Sequence, residues 1–281
     1  MTFDKAIVIR DKTRLELLVE RFNSKAQAKF YLESIGADFG SYELEHSMFY
    51  SALNEVERSL SQYLKNKILF RSFVPTYLFT KQDLIIVVGQ DGLVANTAKY
   101  VNGLPIIAIN PNPNEYDGVL LPFKVKEAEK IIGQMIKGYS ETRTVSMAEA
   151  KLQDGQRLLA FNDFYIGAAS HVSSRYKIIY GERSEIQSSS GVLVSTGAGS
   201  TGWLSSVFNM TNNVNAIGGN VKTSLGFQMN WDDEHLIFVV REPFRSQASG
   251  VDLGYGIVSG SEKLCIESRM PNNGVVFSGG G

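Results

Sequence analysis

Between the apolar run Leu84-Ile85-Ile86-Val87-Val88 and a helical pattern set by Leu93, Val94, Ala95, Ala98 and Val101 lies the turn Gly89-Gln90-Asp91-Gly92. A strand that ends in such a turn and opens a helix leaves backbone N–H groups unbonded, a ledge for anions. Asp91 adds a carboxylate that can accept a proton or help hold a metal ion. A plain tight turn would use the same residues, but the place between strand and helix favours a phosphate site. A second segment, Asn162-Asp163, follows the apolar Leu158-Leu159-Ala160-Phe161. An amide that donates and accepts, beside a carboxylate that only accepts, can grip a diol such as a ribose; an Asx turn is the alternative. The third segment is Ser195-Thr196-Gly197-Ala198-Gly199-Ser200-Thr201-Gly202-Trp203, after Val192-Leu193-Val194. Its glycines allow close backbone approach, and a helix over 201–208 would turn its N-terminal dipole toward an anion. A flexible linker is the other reading, and the apolar flanks argue against it. Arg175 offers a fixed positive charge for phosphates or is an ordinary surface arginine, and His171 reads as an ordinary polar histidine.

The elements that must position these segments are legible from periodicity. Ala6-Ile7-Val8-Ile9 reads as a first strand, and Leu15, Leu18, Val19 and Phe22 recur at helical spacing. Ser24 caps a helix over 25–35 that Gly36 ends, and Leu44, Met48, Phe49, Ala52, Val56, Leu60 and Leu64 form the stripe of a longer one. The charges Glu43, Glu45, Glu55, Glu57 and Arg58 read as its solvated face. Ile68-Leu69-Phe70, Leu84–Val88 and Pro105–Ile109 are short and almost wholly apolar, as parallel strands covered on both faces are. Ligands bind beyond the carboxyl ends of such strands, where both 89–92 and Asn110-Pro111-Asn112-Pro113 would lie. A further helix is predicted over 125–137. Beyond about Thr144 the texture becomes short alternating runs with Gly/Ser-rich turns, the mark of a mainly β domain. Asn209 to Gly226 reads as a loop, and Cys265, within Leu264-Cys265-Ile266, as a buried structural thiol.

Bulk properties narrow the class. The chain has 281 residues, 43% hydrophobic and 20% charged, enough for two modest globular domains. Its 28 basic and 29 acidic residues give a net charge of -1, which predicts no nucleic-acid or anionic-membrane partner. The single cysteine is compatible with a reducing compartment, and no apolar stretch approaches a membrane span. A cytoplasmic protein is expected.

Taken in order, Gly89-Gln90-Asp91-Gly92, Asn162-Asp163 and Thr196-Gly197-Ala198-Gly199-Ser200-Thr201-Gly202-Trp203 resemble the signatures of the NAD kinase family. The likeness is greatest to its mitochondrial-type branch and related bacterial proteins, where Ser173-Ser174-Arg175 and Ser188-Ser189-Ser190-Gly191 also find echoes. The resemblance implies ATP-dependent phosphorylation of the adenosine ribose 2′-hydroxyl of NAD(H), giving NADP(H). By that likeness Asp91 is the catalytic carboxylate, and Gly89, Gly92 and Arg175 attend the phosphates of ATP. Asn162, Asp163, Thr196, Ser200 and Thr201 would hold the dinucleotide, with Mg²⁺ as divalent cation and no dedicated protein metal site. The implied fold is a parallel-sheet α/β domain (1–144) and a mainly β domain (145–262), with the segment 263–281 returning to the first. A homodimer or tetramer is implied as well. Alternatives are a kinase of the related lipid-kinase superfamily and a non-catalytic NAD(P)-binding sensor.

The sequence departs from the family at named points. Gln90 stands where the family turn has a second glycine, so ordinary backbone angles and a bulky amide are expected there. Asp163 replaces a glutamate, Ala198 removes a hydroxyl, and Ser278-Gly279-Gly280-Gly281 lacks an acidic residue.

Overall fold

A computed structural model describes residues 2–217, 228–260 and 262–279. The chain divides into two compact units, 1–142 and 143–281.

The first unit runs β1 (Lys5–Arg10), α1 (Arg14–Phe22), α2 (Lys25–Ser34), α3 (Phe39–Ser61), β2 (Lys65–Phe70), β3 (Asp83–Val88), α4 (Asp91–Ala98), β4 (Ile106–Asn110), β5 (Phe123–Lys124) and α5 (Ala128–Lys137). Its strands form one parallel sheet in the order β2-β1-β3-β4-β5. Each central strand buries both faces, which is why its sequence is continuously apolar instead of alternating. Ala6, Val8, Ile86 and Val88 pack under Leu53, Val56 and Leu60 of α3 and Ile132 of α5. Ile7, Ile9, Ile85 and Val87 pack on the other face with Leu93 and Val94 of α4. The strand order reverses between β1 and β3, since β2 lies on one side of β1 and β3 on the other. Segments leaving the carboxyl ends of these two strands therefore diverge and leave a crevice.

The loop after β1 is anchored by an ion pair that sequence periodicity does not show. Arg10 is 2% exposed, lies over the rings of Phe49, Tyr50 and Phe70, and pairs with Glu16. Thr13 and Glu16 form a capping box at the start of α1, and the Tyr50 hydroxyl donates to Glu16 at 2.7 Å. Glu45, expected on a solvated face, instead pairs with Arg14, its side chain 11% exposed. The reason is that α3 turns this residue toward the start of α1.

The second unit contains β6 (Ala148–Lys151), β7 (Arg157–Ala160), β8 (Asp163–Ala168), β9 (Ser174–Tyr180), β10 (Arg183–Ser189), β11 (Val192–Ser195), α6 (Trp203–Ile217), β12 (Leu236–Val240), β13 (Tyr255–Val258), β14 (Leu264–Ser268) and β15 (Gly274–Ser278). A five-stranded sheet β13-β12-β11-β8-β15 and a three-stranded sheet β10-β9-β14 are both antiparallel, and β6 pairs with β7. Phe164, Val192, Val194 and Phe238 of the first meet Tyr176 and Ile178 of the second in one core. On the opposite face of the larger sheet, Leu193 and Ile237 pack with Leu204 of α6 and Met229.

Three expectations are corrected by the fold. Within 263–281, expected as a return to the first unit, β14 pairs with β9 and β15 with β8, both in the second. Its alternating residues suit a sheet with one covered face, not the doubly covered parallel sheet. Residues 209–217 are helical, as the C-terminal part of α6, because Leu204, Val207 and Phe208 supply an apolar stripe that anchors the helix; 218–226 lie outside the described residues. Cys265 is exposed, since β14 is an edge strand whose Leu264 and Ile266 face the core and turn Cys265 outward.

Burial raises the Glu16 carboxyl, but the Thr13 N–H, the Tyr50 hydroxyl and Arg10 outweigh it and hold it below its ordinary value. A depressed carboxylate contributes stability above its unfolded-state pKa, and that contribution is lost as pH falls through the folded one. Glu16→Gln should therefore cost about 3 kcal/mol at pH 7, because it strands a buried guanidinium. In urea denaturation the difference from the native protein should shrink as the pH is lowered below about 4.

Candidate functional site

In the first unit the carboxyl end of β3 delivers Gly89 and Gln90, and α4 begins at Asp91. Neither Gly89 nor Gly92 has positive φ. A Cβ on Gly89 would come within 2.8 Å of Leu93, so its glycine serves close packing; one on Gly92 would meet nothing within 4 Å. Gly92 is exposed in the first turn of α4, and no packing within the described residues calls for a glycine there. Gln90 has φ -105° and ψ 166°, ordinary extended backbone, as expected from a residue that cannot use glycine's freedom. Its side chain does not cap α4. The amide instead lies beside the Tyr116 hydroxyl, whose pKa is raised by burial. The N–H groups of Gln90, Asp91 and Gly92 find no acceptor among the described residues. Open N–H groups of this kind are what the expected anion ledge requires.

Asp91 does not cap its own helix. Its Oδ1 accepts the N–H of Leu120 at 2.5 Å, a bond 29 residues away in sequence that comes from the loop after β4. That leaves Oδ2 with no hydrogen-bond partner among the described residues. Leu120 acts through its backbone, so no side-chain pattern could reveal it. Asn110, by contrast, stood at the expected sheet edge and proves to be the buried polar residue that shapes this loop.

In the second unit, β8 and β11 lie side by side with Asp163 opposite Ser195. The Asn162 backbone and the third segment are locked together. Thr196 N–H donates to the Asn162 carbonyl at 2.9 Å, and its hydroxyl lies 2.6 Å from the Phe161 carbonyl. Ser200 donates to the Gly197 carbonyl at 2.8 Å and accepts the Met229 N–H at 3.3 Å. Thr196 and Ser200 are both essentially buried, so their hydroxyls brace the segment from within. A Cβ on Gly199 would lie 2.0 Å from the Asn162 carbonyl oxygen, and one on Gly197 1.8 Å from that of Asn230. These glycines are demanded by backbone approach within the protein. Of the three hydroxyl residues, Thr201 alone is exposed.

Neither Asn162 nor Asp163 makes a side-chain hydrogen bond among the described residues. Asp163 is 6% exposed, and burial pushes its carboxyl up to about 6. Gly279 covers it closely, donating its N–H to the Asp163 carbonyl at 2.8 Å. Phe277, half exposed, packs on Tyr165, which stacks on Trp203 with ring centroids 5.9 Å apart. Tyr165 and Asp163 share a face of β8, so an aromatic row lies beside the acid. Arg175 lies elsewhere, exposed on β9, where it alternates with the core-facing Ser174 and Tyr176. No hydrogen bond or ion pair joins it to Asn162 or Asp163 among the described residues.

The architecture has counterparts among solved structures. Yeast NADH kinase, determined with NADH, aligns with 98% of this chain and 74% of its own at TM-score 0.59 and 13% identity. An NAD kinase from Archaeoglobus fulgidus, determined with ATP, aligns over 98% and 87% at TM-score 0.54 and 16% identity. The chain has the fold of these NAD kinases. The expected class, a parallel-sheet α/β part with a mainly β part, is met. No family model and no curated protein matches the sequence. No described helix is long and apolar enough to cross a membrane, and no cluster of three or more potential metal-ligating side chains occurs among the described residues.

The raised Asp163 pKa has a definite sign. A carboxyl with a folded pKa above its unfolded value loses stability for the fold as pH rises through the interval, here about 4 to 6. Asp163→Asn should therefore melt higher than the native protein at pH 7 and show little gain at pH 4. A thermal series across that range reads both values.

Proposed function

We propose that the protein is an NAD kinase, transferring the terminal phosphoryl group of ATP to the adenosine ribose 2′-hydroxyl of NAD or NADH. The observation that carries this reading is Asp91, with Oδ1 held by Leu120 and, among the described residues, no partner on Oδ2 or on the three neighbouring N–H groups. Phosphoryl transfer needs positioning and charge neutralisation far more than covalent help. The 2′-oxygen attacks the terminal phosphorus and forms a new P–O bond, while the bond from that phosphorus to the bridging oxygen breaks and ADP leaves. The hydroxyl proton passes to Asp91 Oδ2. The N–H groups of Gln90, Asp91 and Gly92 take phosphate oxygens.

Asn162 and Asp163 hold ribose hydroxyls, and Phe277 offers an aromatic face to the dinucleotide. Thr196 and Ser200 act indirectly, by fixing Asn162, and Thr201 is the exposed hydroxyl of that segment. Arg175 has a lesser part in this reading, as a surface charge for phosphates. Magnesium fits the donor set in one manner: it commonly rides on nucleotide phosphates with one or two carboxylates. The ion would be carried by the phosphates of ATP and would neutralise their charge, while Asp91 Oδ2 is kept for the hydroxyl proton. Burial of Asp163 favours a ligand with hydroxyl donors, because an ionised carboxylate out of water is costly until it accepts hydrogen bonds. A homo-oligomer is part of the same proposal.

Asp91→Asn tests the reading. The amide keeps an oxygen for the Leu120 N–H, so the fold and dinucleotide affinity should persist while kcat falls about 10²–10⁴-fold, the range for losing a general base. Turnover of the variant within threefold of the native protein would contradict the role of Asp91.

A further inference from the structure

We propose that Asn110 and Tyr116 are positioning residues for Asp91, which act by holding the loop after β4 so that the Leu120 N–H stays on one carboxylate oxygen. The proposal rests on Asp91 as the base of the proposed reaction and adds what sets its orientation. A carboxylate in the first turn of a helix rotates freely about its terminal bond unless something holds one oxygen. Here the holding group is a loop amide, and loops are soft unless they are tied internally. This loop is tied by a buried amide. Asn110 is 5% exposed at the end of β4 and uses both ends of its side chain. Its Nδ2 donates to the Tyr116 carbonyl at 3.0 Å, and its Oδ1 accepts the Asn112 N–H at 3.0 Å.

One buried side chain thus replaces the backbone ladder that this loop lacks. Gly118 completes the turn. It has φ +66°, and a Cβ there would lie 2.6 Å from Asn110 Nδ2, so both its conformation and the space beside it call for glycine. The turn closes with the Leu121 N–H on the Gly118 carbonyl at 3.0 Å, and Leu120 N–H then reaches Asp91 at 2.5 Å. Tyr116 adds a second contact, its hydroxyl lying beside the Gln90 amide. The loop is therefore tied to Asp91 and lies against its neighbour Gln90. With Oδ1 occupied and the loop fixed, Oδ2 is the oxygen presented for the proton.

The test combines amide hydrogen exchange with steady-state kinetics on the full chain. Asn110→Asp keeps an acceptor for Asn112 but replaces the donor to Tyr116 with an oxygen that repels its carbonyl; Tyr116→Phe removes only the hydroxyl beside Gln90. The expected result is at least tenfold faster exchange at Leu120 in Asn110→Asp, with β3 and β8 amides unchanged. Alongside it, kcat should fall at least tenfold at constant KM for NAD, and Tyr116→Phe should follow in the same direction with a smaller effect. Unchanged Leu120 exchange in both variants would overturn the brace. Faster exchange with unchanged kcat would overturn the positioning role. If Asn110→Asp does not fold, Tyr116→Phe carries the same two readouts. If the native protein makes no phosphorylated dinucleotide with ATP, the function fails, and the positioning role with it; Leu120 exchange then still decides whether the brace exists.

Discussion

The hydrogen bond from Leu120 N–H to Asp91 is the constraint on which the first unit's candidate site turns. It joins two segments that leave neighbouring strands, β3 and β4, at the same edge of a parallel sheet. The sheet makes this possible because its central strands are buried on both faces and cannot shift register without moving apolar residues such as Ile86 and Val87. A rigid edge then sets where Gly89 ends and where Asn110 begins. The rest of the site is built locally: α4 leaves its first N–H groups open, and the loop supplies one amide to orient the acid.

The second unit reaches a similar end by another route. There the fixed point is the close passage of two backbones, Gly199 against the Asn162 carbonyl, which only a glycine permits. Thr196 and Ser200 tighten it with hydroxyls turned inward. Asn162 and Asp163 are thus presented from a braced strand end, with the Asp163 carboxyl destabilised by burial. That destabilisation is a cost to the fold at neutral pH. Its sign is opposite to that of Glu16, whose carboxylate stabilises the fold by neutralising Arg10.

Much of the fold could be read from the chain, for a physical reason. Runs such as Leu84–Val88 have no polar residue to hide, so a strand covered on both faces is their natural state. Capping by Thr13 and Ser24, and the stop at Gly36, are local and equally legible. The illegible parts depended on distant partners. The polar-rich helix over 209–217 gains its stability from Leu204 packing against β11 and β12, not from propensity. The strand β15 pairs with β8, more than a hundred residues earlier, and nothing local signals that choice over a return to the first unit. At the candidate site the segments themselves stood out, but their division of labour did not. Hydroxyls at Thr196 and Ser200 look alike to a sequence reader whether they face a ligand or a carbonyl. The Leu120 amide has no sequence signature at all.

The most direct measurement of the central claim is the position of the phosphate in any product. Purified protein would be incubated with ATP, magnesium and NAD or NADH, and the product assigned by phosphorus–proton NMR. An NAD kinase built on Asp91 should give a phosphate monoester on the adenosine 2′-oxygen, formed with one ADP for each dinucleotide. Binding of the dinucleotide with no phosphorylated product, or a phosphate at any other oxygen, would contradict it.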